Sequence, residues 1–136
     1  MISIYNRYLL NKIYNINNLI SLISKYSKLN KTDIITFLNK EDNELIILTD
    51  NNKTCGFILG EYIMYNTLTY KINIIYLEDE KYKEEIIKGL SNYLRNQSIF
   101  KIISNKPINK EFKLLKYRGN GMMNEYNYIY EYSINY

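Results

Sequence analysis

The sequence predicts a single α/β domain of the α+β kind, with a mixed central sheet of six or seven strands and about four helices. Three observations carry this expectation. The stretch Thr67–Asn96, TLTYKINIIYLEDEKYKEEIIKGLSNYLRN, has the pattern of a long strand, a short charged loop and an amphipathic helix. Upstream, ELIILT and TCGFILGEYI flank Asp50-Asn51-Asn52-Lys53, residues that tolerate left-handed backbone, which is the signature of a β-hairpin. The tail alternates strictly: Tyr126, Tyr128, Tyr130, Tyr132, Ile134 and Tyr136 share one face at period two.

The bulk numbers set bounds. At 136 residues the chain makes one domain, spanning 1–136. A domain of this size buries roughly 65–70% of its unfolded surface, enough for a core without covalent staples. The 46% hydrophobic and 24% charged fractions are those of an ordinary globular protein. There is no histidine, which removes Ser-His and Cys-His nucleophilic machinery and argues against a zinc site, so no metal is expected. The single Cys55 is expected to be a small core residue. No apolar run reaches the roughly 20 residues of a membrane span, and the start MISIYNRYLLNKIYN lacks signal-peptide order, so a cytoplasmic protein is expected. The net charge of +4 is scattered rather than striped, which argues against a nucleic-acid partner. Ile, Asn, Lys and Tyr, all encoded by AT-rich codons, crowd the chain, so any single Tyr or Asn carries little weight.

The elements follow in order. Ile2–Tyr5 forms a short first strand. Asn15 or Asn17 can cap a helix whose stripe is Ile16, Leu19, Ile20 and Ile23, extended by Tyr26. A second helix is expected from about Thr32, with Ile34, Ile35 and Leu38 buried. The hairpin strands are Glu44–Thr49 and Thr54–Tyr65. Thr69–Leu77 follows, with Tyr70, Ile72, Ile74 and Tyr76 on one face. Lys81–Asn96 is the strongest helix, striped by Ile86, Ile87, Leu90 and Leu94. Ile99–Ser104 is a buried strand. Ile108, Phe112 and Leu115 at helical spacing predict a last helix over Ile108–Arg118, ended by Gly119-Asn120-Gly121. A further strand near Met122–Glu125 precedes the tyrosine-bearing tail, whose ladder is expected to pack rather than to stack on bases. Gly56 and Gly60 match neither a Walker nor a Rossmann fingerprint and are expected to mark a bulge or close backbone approach.

This order, with two helices after the first strand, resembles the GNAT superfamily of acyl-CoA N-acyltransferases over nearly the whole chain. Two segments carry the likeness. In the first, INIIYLEDEKYKEEIIKGLSNYL, the family has a strand ending in an apolar dipeptide, a loop of the type Arg/Gln-x-x-Gly-x-Gly/Ala, and a helix. Anchoring on Leu77 and Leu90 aligns Tyr82 with the arginine, and Glu85 and Ile87 with the two small residues. Those departures matter, because a pyrophosphate at a helix start uses free backbone N–H groups that glycine lets it approach. Glu84 and Glu85 bring negative charge there, which Lys81 and Lys83 partly offset, and acidic residues in a first turn also stabilise a helix without any ligand. In the second segment, Asn109, Tyr117 and Gly121-Met122 loosely answer the family's Asn, helical Tyr and Gly-Phe; Gly119-Asn120 is an alternative match for the last.

The resemblance implies direct acetyl transfer from acetyl-CoA to a small-molecule or peptide amine. It implies cofactor contacts from Ile75, Tyr76, Leu77, Lys81, Tyr82, Lys83, Glu85, Ile86 and Asn109. It also implies that Tyr117, a phenol of pKa near 10, protonates the departing thiolate. The nucleophilic amine must lose a proton, and Glu61 and Glu78 are the carboxylates expected to take it, Glu61 ahead because it alternates with Cys55, Phe57 and Leu59. A homodimer is left open. The rival expectation is a GNAT-fold protein without catalysis, a binding or inhibitory module of the kind a phage or mobile element carries. A third, a small basic nucleic-acid-binding domain, is disfavoured by the scattered charge.

Overall fold

The protein is described by a computed structural model, which gives the backbone at residues 1–7, 9, 16–118 and 126–135, and the side chains of these apart from 116–118 and 126–128. Within them the elements are β1 (Ile2–Tyr5), α1 (Ile16–Ser27), α2 (Lys31–Leu38), β2 (Asn43–Asp50), β3 (Lys53–Tyr65), β4 (Thr67–Leu77), a 3-10 turn (Glu80–Tyr82), α3 (Lys83–Asn96), β5 (Lys101–Ser104), β6 (Lys113–Arg118) and β7 (Tyr126–Ser133). The strands form one mixed seven-stranded sheet in the order β1-β2-β3-β4-β5-β7-β6. Only β4 and β5 run parallel, because α3 crosses between them.

The local chemistry explains the elements. Asn51 and Asn52 both take positive φ in the β2–β3 turn, the backbone that a two-residue hairpin needs. α2 starts one turn-residue earlier than expected, because Asn30 is its cap: the Asn30 side-chain oxygen accepts from the Asp33 N–H at 2.8 Å. Asn15, the expected cap of α1, lies outside the described residues, and Asn17 sits inside that helix.

The sheet is packed on both faces. α1 and α2 cover one face, where Leu19, Ile23, Ile34 and Leu38 meet Leu45, Ile47, Phe57 and Leu59. α3 covers the other, where Ile86, Leu90 and Leu94 meet Ile46, Ile58, Tyr70, Ile72 and Ile102. Each fully buried side chain of this kind is worth roughly 1.5–3 kcal/mol. Ile35, expected inside, is exposed. A polar clamp fastens α3 to the sheet: buried Glu44 accepts from the Tyr62 hydroxyl at 2.8 Å and from the Tyr93 hydroxyl at 3.3 Å.

Two bulges break the expected alternation. β2 and β3 pair as Leu48↔Gly56 and then Thr49↔Thr54, which leaves Cys55 as the extra residue. Cys55 is buried as expected, but it joins the α3-side cluster while Phe57 packs under α1 and α2. β3 and β4 pair as Leu59↔Ile74 and then Gly60↔Ile72, which leaves Asn73 as the extra residue. One inserted residue exchanges the faces of everything beyond it. Tyr70 and Ile72 therefore belong to the α3 side, whereas Ile74 and Tyr76 pack on the α1–α2 side.

The helix predicted over Ile108–Arg118 is not formed. Ser104 and Asn109 hold a loop instead: the Asn109 side-chain oxygen accepts from the Glu111 N–H at 2.9 Å, and the Phe112 N–H bonds the Asn109 carbonyl at 3.2 Å. Lys113–Arg118 then pairs antiparallel with β7, from Lys113↔Glu131 to Arg118↔Tyr126. Local spacing lost to a long-range partner, the strand whose alternation was already clear. Among the described residues the count is thus three α-helices and seven strands. Tyr130, Tyr132 and Ile134 pack on the α3-side core, as expected of the ladder. The expected Gly119-Asn120-Gly121 stop and the Met122–Glu125 strand lie outside the described residues. No helix among the described residues is long and apolar enough to cross a membrane.

Candidate active site

The sheet opens at β4. Its parallel ladder to β5 consists of Tyr70↔Ile102, Lys71↔Ile103 and Ile72↔Ser104 and then ends. The Asn73 bulge follows at once, so among the described residues Ile74–Leu77 keep β3 as their partner and have no strand on the β5 side. The wedge between the diverging chains is a cleft of about 330 Å³ lined by Ile75, Leu77, Glu80, Lys83, Lys106, Pro107 and Ile108. Its floor is apolar strand, its entrance is the start of α3, and its far wall is the loop after β5.

The cleft gathers some of the residues the sequence pointed to and leaves others apart. Ile75, Leu77 and Lys83 line it. Tyr76 faces the α1–α2 side, where its ring stacks on Tyr26 with centroids 3.8 Å apart and planes 16° from parallel. Its hydroxyl contact with Tyr26 pushes the Tyr76 phenol up to about 12, and the same contact, together with Lys25, pulls Tyr26 down. Lys81 and Tyr82 lie on the opposite flank of the loop, in a second hollow with Asp50, Cys55 and Glu78. The Tyr82 hydroxyl donates to Asp50 at 3.1 Å, and its contacts with Cys55 and Asp50, along with desolvation, push its pKa upward. Glu85 carries an ion pair with the Met1 amino group at 3.3 Å, and Ile86 is fully buried in the core. Asn109 is spent on its turn beside the cleft wall.

The expected acid and bases lie away from the cleft lining. Glu61 pairs with Lys71 at 3.9 Å, across the β3–β4 ladder on the α1–α2 face, one register step from the bulge. Glu78 pairs with Lys53 at 3.1 Å, and its N–H is bonded to the Cys55 carbonyl at 2.8 Å. The backbone of Tyr117 is on β6, the sheet edge, three strand spacings or roughly 14 Å from β4; its side chain lies outside the described residues. Sequence reasoning missed Lys106, Pro107 and Ile108 as cleft lining, although Pro107 directly after the β5 run marked where the chain must leave the sheet. It also missed the buried carboxyl of Glu44, which burial pushes upward while the Tyr62 and Tyr93 hydroxyls draw it back. Among the described residues, no group of His, Cys, Asp and Glu is arranged to hold a metal ion.

The residues fit acetyl-CoA at one end only. The edge of Ile74–Leu77, unpaired on this side among the described residues, offers backbone groups to the amides of a pantetheine arm, as an added strand would be received. The pyrophosphate end differs. The Asp79 carboxylate accepts from the Lys81 N–H at 3.0 Å, the Asp79 carbonyl from the Tyr82 N–H at 3.1 Å, and the Glu80 carbonyl from the Lys83 N–H. The N–H groups of Lys81, Tyr82 and Lys83, in the turn that leads into α3, are thus bonded within the chain.

No protein-family profile matches the sequence, and no curated protein sequence does. Solved structures do. A probable acetyltransferase from Staphylococcus epidermidis superposes with TM-score 0.64 at 15% identity, covering 99% of this chain and 100% of its own. Tetrahymena GCN5 superposes with TM-score 0.65 at 13% identity over 99% of this chain and 96% of its own. The ribosomal-protein-S18-alanine N-acetyltransferase of Escherichia coli gives TM-score 0.59 at 9% identity over 100% and 96%. The chain has the GNAT fold, in a form of low sequence identity to these acetyltransferases.

Proposed function

We propose that this protein is a divergent N-acetyltransferase that moves an acetyl group directly from a thioester to an amine. The observation that carries the proposal is the wedge beside Ile75 and Leu77, opened by the Asn73 bulge where the β4–β5 ladder stops. A bound acetyl-CoA would supply the activated acyl group. The chain's part is to hold the arm along the β4 edge, to face its phosphates with Lys83 and Lys106, and to receive the amine's proton. Glu61 is the favoured acceptor for that proton, through a bridging water, because it neighbours the bulge in register. Glu78, tied to Lys53, and Tyr117, on the edge strand, are weaker candidates for proton transfer. The acceptor is a small-molecule or peptide amine in the cytoplasm. Structural neighbours include an aminoglycoside 6'-acetyltransferase and ribosomal-protein-alanine acetyltransferases, which supports an amine and leaves its size open.

A second reading, a GNAT-fold binding module without catalysis, is favoured by the internally bonded donors of the turn that leads into α3. Calorimetric titration with acetyl-CoA separates the two. Saturable heat that Lys83→Glu weakens by about tenfold supports the transferase. Absence of both heat and thermal stabilisation at millimolar ligand rules it out in favour of the module.

A further inference from the structure

We infer that the protein pairs with a second copy of itself through the open half of its sheet, on a two-fold axis running along β5. The inference goes beyond the transferase reading and does not depend on it. On the α1–α2 side, the two helices cover β2, β3 and the Ile74–Tyr76 stretch of β4. Across the Asn73 bulge no helix among the described residues lies on that face. Ile103 of β5 is buried there, at 3% exposure, yet belongs to neither helix-covered core. One register row occupies the face instead. Glu61 pairs with Lys71, Lys71 with Ile103, Ile103 with Glu131, and Glu131 with Lys113, across β3, β4, β5, β7 and β6. Residues in register point to the same side of a sheet, so the row reads minus, plus, neutral, minus, plus.

Taken from its other end, the row is plus, minus, neutral, plus, minus. A copy turned about an axis along β5 therefore lays its Lys113 over Glu61, its Glu131 over Lys71 and its Ile103 over Ile103. Opposite charges meet at every charged position of the row, and each contact occurs twice. A pattern antisymmetric about one strand fits its own copy better than it fits a partner of uniform charge. The pairs within the chain leave room for this. Lys71 lies 3.9 Å from Glu61 Oε1 and Lys101 lies 3.5 Å from Glu131 Oε1, and a carboxylate accepts at both oxygens. Lys101, on the axis strand itself, is drawn aside onto Glu131, which takes its ammonium off the axis. Five strands side by side span about 19 Å, a patch at the low end of specific interfaces, so the dimer is weak, with a Kd on the order of tens of micromolar. Glu61 ends the row, so pairing and the approach of an amine to it exclude each other.

Sedimentation equilibrium of the full-length protein, from about 5 μM to about 500 μM, tests this. A reversible monomer–dimer equilibrium is expected, weakened about fivefold between about 0.1 M and about 0.5 M salt. Lys71→Glu alone and Glu131→Lys alone each set like charges against each other at both symmetric contacts, and each is expected to weaken association by about tenfold. Mixed in equal amounts, the two variants set unlike charges together at both contacts. Their association is expected to return to within about threefold of the unaltered protein. Lys113→Glu, on the exposed edge strand, sets like charges against Glu61 and is expected to weaken association about threefold, which keeps the face testable if a charge reversal at Lys71 or Glu131 impairs folding. Circular dichroism of each variant reports folding. An unaltered protein that stays monomeric throughout the range overturns the inference. So does a dimer whose affinity is unchanged in every folded variant. A mixture of folded variants that associates no better than either alone overturns the two-fold arrangement along β5.

Discussion

The two halves of β4 are one strand in two environments. From Tyr70 to Ile72 it is paired on both sides, with β3 and β5, and Tyr70 and Ile72 are buried under α3. From Ile74 to Leu77 it is paired only with β3, and Ile75 and Leu77 are half-buried in the cleft wall. One bulged residue, Asn73, separates them. The first half is made for stability and the second for reception, and the difference comes from what lies beside the strand, since both halves are similarly rich in β-branched and aromatic residues.

This contrast can be broken experimentally at its strongest point first. Ile72→Ala empties a core position and is expected to cost about 3 kcal/mol, whereas Ile75→Ala, at the cleft, is expected to cost about 1 kcal/mol and to weaken ligand binding. Urea unfolding of the two variants measures the gap, and equal losses would remove the distinction. Gly60→Ala comes next, at about 2 kcal/mol, because a methyl group there runs into the Tyr70 hydroxyl and the adjoining ring carbons. That hydroxyl is buried without a hydrogen-bond partner among the described residues, so Tyr70→Phe is expected to gain about 1 kcal/mol, while its ring carbons still block the Gly60→Ala methyl and the double variant keeps most of that loss.

Glu44 sharpens the contrast at the paired end. Its carboxyl is held above the usual range by burial, so the folded protein keeps the proton more tightly than the unfolded chain. The contribution of Glu44 to stability is therefore fully present below the ordinary carboxyl pKa and is lost as pH rises through its raised value. Glu44→Gln has no proton to lose, and urea midpoints measured from pH 4 to pH 8 are expected to lose that component of the slope. The smallest effect belongs to the cleft half: Tyr26→Ala removes the stack on Tyr76 and is expected to cost about 0.5–1 kcal/mol, read in the same assay.

The sequence made much of the framework legible because patterning and turn chemistry agreed. Asn51 and Asn52 announced the hairpin, and Ile86, Leu90 and Leu94 announced the buried face of α3. The departure of the acyl-CoA loop from its family pattern was also visible, since Glu85 and Ile87 are plain in the chain. What was hidden depended on partners. Tyr70, Ile72, Ile74 and Tyr76 form an unbroken alternation, but Ile75 and Leu77 are apolar as well, so both faces accept the strand and a one-residue slip leaves no mark. Ile108, Phe112 and Leu115 satisfy helical spacing, yet Asn109 folds its own turn and the tyrosine strand takes Lys113–Arg118 as its edge. Asp79 looked like one acid among several; its hold on the Lys81 N–H is a matter of geometry.

The short β4–β5 seam also bears on how the molecule opens. Three register pairs join β5, β7 and β6 to the rest of the sheet, whereas β3 and β4 are zipped along nearly their whole length. Sub-global opening follows the line of fewest contacts. The outer three strands are therefore expected to swing away as a unit, exchanging their amide hydrogens together and sooner than those of β2 and β3. Because the cleft lies on that line, a ligand seated in it would act as a stitch, and slowed exchange in β5 on adding pantetheine would report its arrival.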